Sequence, residues 1–186
     1  MAVAGRAGSP GEYGRAVEAE RWPLERDLAV LGAVVHGPAI VARSPGIAFA
    51  VRCVFARPGG LELELVLRAV GVQAEAAGRQ TFGEDVRGPH QADDPDRLWR
   101  GGSEPDLALE VDGRRVAAHP LEQSLSGGGD EFTSELRLAV GSLPTDGRIT
   151  LVASRPPAGL AEGAVTLTLA SLEALEDRVV RLSAAR

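Results

Sequence analysis

The chain has no lysine, no asparagine, one cysteine and one tyrosine among its 186 residues, and each shortage removes a class of explanation. All 20 basic residues are arginine. Lysine and asparagine share A-rich codons, so their absence marks a GC-rich genome rather than selection for bidentate guanidinium chemistry. With Cys53 alone, no intrachain disulfide forms and one chain supplies no thiolate metal cluster. Aromatic residues make up only 4%, so Leu, Val, Ile and Ala must fill the interior around Trp22, Trp99 and four Phe. No stretch approaches the roughly 20 apolar residues of a membrane-spanning helix. Residues 1–15 carry Gly, Arg and Pro where a secretory signal needs an apolar core. A net charge of −6 opposes attraction to phosphate backbones and anionic lipid surfaces. Together these features predict a soluble, cytoplasmic protein with no nucleic-acid partner and no membrane partner.

What is present is a folding pattern. Apolar residues at 44% and charged residues at 25% are ordinary for a globular protein, and the length suits one domain. Residues 1–27, rich in Gly, Ala, Arg and Glu and interrupted by Pro23, read as a flexible arm that precedes a domain over 28–186. The apolar run 28–35 reads as a strand with Gly32 as a bulge. Two long runs then alternate between turns at Ser44-Pro45-Gly46 and Arg57-Pro58-Gly59-Gly60. In the first, Ile47, Phe49, Val51, Cys53 and Phe55 share a face, which puts Cys53 on an apolar side as an inert thiol. In the second, Leu61, Leu63, Leu65, Leu67 and Ala69 share a face. A helix would scatter those leucines, whereas a strand gathers them on the core side.

Residues 71–105 have little period and read as a long loop. Asp112-Gly113 predicts a hairpin turn between strands at 107–111 and 114–118. Gly127, Gly128 and Gly129 read as a flexible loop, after which Phe132, Ser134, Leu136, Leu138 and Val140 alternate again. Ile149, Leu151 and Ala153 begin another strand, and Val165, Leu167 and Leu169 a last one. Leu172, Leu175, Val179 and Leu182 fall at helical spacing with Ser171 as N-cap, predicting a C-terminal helix over 172–183 whose stripe docks on its own sheet. About eight antiparallel strands and one helix predict a mainly-β sandwich, with a partly open barrel as the alternative.

In order, the segments 55–63, 140–154 and 155–160 carry a strand pair around Pro58-Gly59-Gly60, an edge run through Leu143-Pro144, and Pro156-Pro157. This order resembles a family of small uncharacterised actinobacterial β-rich proteins and covers residues 28–182. The resemblance implies the same succession of elements and no activity.

Three groupings bear on chemistry. Asp93, Asp94 and Asp96, with Glu84 and Asp85, offer oxygen ligands to a hard cation, but Pro95 interrupts them and the spacing is not that of an EF-hand. His36, His90 and His119 stand far apart without an i, i+4 pair. Ser124, Ser126 and the glycines that follow match neither a nucleophile elbow nor a phosphate loop. No catalytic residue, metal site or cofactor is therefore assigned. The expectation is a non-enzymatic interaction or structural module, pairing with a protein partner or a second copy. The alternative is a small-ligand-binding or hydrolytic domain whose site the 71–105 loop forms, with Trp99, His90 and the aspartates converging there.

Overall fold

The computed structural model describes residues 30–82, 105–116 and 118–182. Along the chain these form β1 (Val30–Leu31), β2 (Ala33–His36), β3 (Ala39–Ser44), β4 (Ile47–Arg57), β5 (Gly60–Val70) and α1 (Val72–Phe82). There follow β6 (Asp106–Val111), β7 (Arg114–Val116), β8 (His119–Gly128), β9 (Glu131–Val140), β10 (Arg148–Arg155) and β11 (Leu160–Thr168). A single turn of helix, α2 (Leu175–Arg178), and β12 (Val180–Arg181) complete the chain. Every strand pair is antiparallel.

One sheet runs β2-β4-β5-β9-β8, with β3 also paired to β4, and a second runs β11-β10-β6-β7. They form a mainly-β, sandwich-like fold and no closed barrel. The inward faces follow from residue alternation. Leu61, Leu63, Leu65, Leu67 and Ala69 of β5 are buried against Phe132, Leu136, Leu138 and Val140 of β9 and against Ile149 and Leu151 of β10 within one core. Burial of each such leucine contributes about 2 kcal/mol. At one side the two sheets meet so closely that a Cβ on Gly163 of β11 would lie 2.6 Å from the Val41 carbonyl oxygen of β3.

Five expectations are corrected. The alternation in β4 is not continuous: Val51 pairs Leu65 and Cys53 pairs Glu64, so Arg52 is an extra, bulged residue. The bulge reverses parity, turning Val54 and Ala56 inward while Cys53 and Phe55 move to the outer face, each half-buried. Burial, then Glu64, still pushes the Cys53 thiol up. The loop expected over 71–105 begins instead with α1, which leaves β5 through Gly71 at φ 61, buries Ala74 and Ala77, and is braced by the i, i+4 pair of Glu75 and Arg79 at 3.1 Å. Gly127 and Gly128 belong to strand β8, with the turn at Gly129-Asp130.

The fourth correction concerns the C-terminal helix expected over 172–183, which is one turn long. Val179 is already extended, and β12 pairs with β1 through Val30↔Arg181 and Leu31↔Val180, in keeping with the preference of β-branched Val179 and Val180 for extended backbone over a second helical turn. Leu172, Leu175 and Val179 pack on the core as expected, whereas Leu182 is exposed. Finally, the described residues contain twelve strands, from two to eleven residues long, rather than about eight. The arm over 1–27 lies outside the described residues.

Candidate functional site

His90, Trp99, Asp93, Asp94 and Asp96, with Glu84 and Asp85, lie outside the described residues, as does Trp22. His36 and His119 are described and stand on β2 and β8, the two edges of the six-stranded sheet, about 19 Å apart by strand spacing. Among the described residues no three His, Cys, Asp or Glu side chains gather as a metal site.

The feature that stands out is β8 itself. Its hairpin with β9 closes through Gly129 at φ 60, leaving Gly128 opposite Glu131. A two-residue turn makes that pair exchange both backbone hydrogen bonds. The pairs Ser126 with Thr133, Ser124 with Glu135 and Glu122 with Arg137 then do the same. Gln123, Leu125 and Gly127 accordingly direct their N–H and C=O groups away from β9. Among the described residues no strand lies on that side, and every residue from Pro120 to Gly128 is exposed. Natural edges are blunted by lysine, proline or bulges. Here Pro120 and the bulge at Leu121 end the protected part, and the seven residues from Glu122 to Gly128 carry no such device.

At one end of this open stretch lies a cluster of charges. Arg137 donates from Nη1 to Glu122 Oε2 at 3.2 Å, bonds Glu62 through Nη2, and faces Glu64 Oε1 from Nε at 3.6 Å. Arg57 Nη2 lies 3.3 Å from Glu62 Oε2, and Arg52 pairs with Glu135. Burial works to lower the Arg137 guanidinium, but Glu62, Glu122 and Glu64 outweigh it and hold its pKa above the ordinary arginine value. Glu62 is buried, while the Glu122 carboxylate remains largely in solvent. Among the described residues, Arg52 and Arg137 thus face Glu64, Glu122 and Glu135 around a cavity of about 170 Å³, with Glu62 and Arg57 joined to this group through Arg137, and the Glu122 carboxylate stands exposed at the β8 edge.

At the other end a cleft of about 330 Å³ opens between α1 and the β8–β9 hairpin. Phe132 forms its floor and Phe82 a wall, their ring centroids 6.2 Å apart at 60°. Its rim charges are already paired, Glu75 with Arg79 and Glu131 with Arg68, each at 3.1 Å. The interior is therefore apolar in character. Gly127 stands at its mouth, where a Cβ would lie 3.1 Å from Phe132 Cδ2 and 3.5 Å from Phe82 Cε2. A strand glycine often marks such close approach, and the missing side chain leaves the cleft open toward the free edge.

Arg155 holds the wall of this cleft in place. Its side chain is among the most deeply buried in the core, with the guanidinium 5.5 Å from the Phe132 ring centroid. It donates to the Ala77 carbonyl at 3.4 Å, to Thr81 Oγ1 at 3.2 Å and to Gln80 Oε1 at 3.3 Å, all on α1. These bonds and the ring face offset the cost of burying a charge. Sequence reasoning missed Arg155, although it has the same parity as Ile149, Leu151 and Ala153. It missed β8 because both faces of that strand are exposed and show no alternation.

The geometry defines a mainly-β fold in which, among the described residues, β8 is a long sheet edge with no neighbouring strand on its outer side. No protein family, characterised protein or solved structure matches the chain.

Proposed function

We propose that this protein is a non-enzymatic interaction module that captures an extended segment of a partner protein along β8. The observation that carries this reading is the edge itself: three consecutive outward-facing positions, Gln123, Leu125 and Gly127, present backbone donors and acceptors to solvent on a strand held rigidly by β9. An incoming strand pairs with those groups and adds to the sheet, which is how extended peptides are commonly bound. The acidic cluster and the cleft at the two ends supply side-chain selectivity. The test is a variant that removes one free donor and no native bond. In Gln123→Pro the lost N–H points outward, where proline is tolerated on an edge strand. Cross-linked partners recovered on the tagged protein from its own host should disappear from the Gln123→Pro variant, and their retention would overturn the proposal.

A second reading, a small-molecule site built on the 71–105 segment, draws support from the cleft, since Gly78 and Phe82 of that segment line it. Tight, saturable binding of an apolar probe such as indole, unchanged in Gln123→Pro, would favour it.

A further inference from the structure

We infer that the segment captured by β8 carries a large apolar or aromatic residue and a basic residue five positions apart, on opposite faces of the added strand. This inference rests on the edge-pairing reading and specifies what the edge selects. In an antiparallel sheet, directly paired residues project to the same face. The residue of an added strand that pairs with Gly127 therefore projects on the side where Phe82 and Phe132 lie, beside the mouth that Gly127 leaves open. Its environment there is two rings and exposed glycine backbone, with the rim charges already satisfied within the chain. A large apolar side chain is the group that gains most from that space.

The residue pairing with Glu122 projects to the opposite face, because Glu122 and Gly127 are separated by an odd number of positions. That face holds the four carboxylates and three guanidiniums, with Glu122 the exposed member nearest the edge. A lysine or arginine complements the exposed Glu122 carboxylate, and an acidic residue is repelled. The same charges argue against a second copy as the occupant. Self-pairing would bring together two chains of net charge −6, and a seven-residue strand contact alone falls short of the 1,200–2,000 Å² that stable complexes usually bury.

The experiment is selection of a phage-displayed library of random dodecapeptides on the full chain, followed by anisotropy titration of the enriched peptides. The expected enrichment is a Phe, Trp, Leu or Met five positions from an Arg or Lys. Binding should weaken at least tenfold in Gln123→Pro. Gly127→Val should erase the preference at the apolar position, and Phe82→Ala, which alters an exposed wall residue, provides the same readout if the valine variant folds poorly. Glu122→Arg should exchange the basic preference for an acidic one. Enriched peptides lacking this pattern but still lost in Gln123→Pro would overturn the inference while leaving edge pairing intact. Enriched peptides indifferent to Gln123→Pro would defeat both, as would the absence of any enrichment. A dimer by light scattering that Gln123→Pro converts to monomer would make a second copy the occupant and defeat the inference.

Discussion

The two sides of the six-stranded sheet are built from similar strands and finished in opposite ways. On the β2 and β3 side, backbone groups are engaged: the Ala170 N–H donates to the Val35 carbonyl at 2.7 Å, and Arg178 Nη2 donates to the Val34 carbonyl at 3.3 Å. Leu175 and Val179 close over the core there, and β11 lies against β3 through Gly163. On the β8 side none of this occurs among the described residues. The C-terminal segment thus seals one side, and among the described residues β8 has no such cover on the other.

That contrast sets the order of expected effects. Gly163→Val pushes a side chain into the β3 backbone and should cost about 3 kcal/mol, lowering Tm by roughly 9 °C in a thermal melt. Leu175→Ala unseats the C-terminal seal and should cost about 2 kcal/mol by urea denaturation. On the open side, Leu125→Ala should change stability by no more than about 0.5 kcal/mol in the same assay, since its side chain is already in contact with solvent. A large loss there would show that β8 is covered after all, and the contrast would fail.

The smallest effect concerns pH. Asp112 accepts from the Thr145 hydroxyl at 2.9 Å and from its backbone N–H at 2.8 Å, and these bonds hold its carboxyl below the usual carboxylate range. Its folded pKa being depressed, its stabilisation is present above the unfolded value of about 3.9 and is lost as pH falls through the lower folded value. Asp112→Asn, which keeps a residue tolerant of φ 50, should lower Tm slightly at pH 7 and leave it little changed at the acid end, where Asp112 is protonated anyway, so the acid limb of the Tm-against-pH curve flattens.

Strands with one buried face were legible in the sequence, because alternation records burial directly: β5, β9 and β10 follow the expected parity residue by residue. In β4 the parity was readable only as far as Val51, since a bulge inserts one residue without changing composition. The helix α1 was hidden because it buries only Ala74 and Ala77 and so shows little amphipathic stripe. Its position depends on Arg155, more than 70 residues away in sequence. The edge of β8 escaped for a different reason. Openness is the lack of a neighbour, and lack of a neighbour leaves no trace in a strand's own side chains beyond the polar residues that also mark a loop.

One consequence follows from Arg155. It belongs to β10 in the four-stranded sheet, yet it fixes the helix that walls the cleft beside the six-stranded one. Besides the shared core and the β3–β11 contact, the two layers are therefore joined through this guanidinium, and the width of the recess next to Gly127 reports on the seating of a strand in the opposite layer. Substitutions along β10 that shift Arg155 would reshape the recess beside Gly127 without altering any residue that lines it.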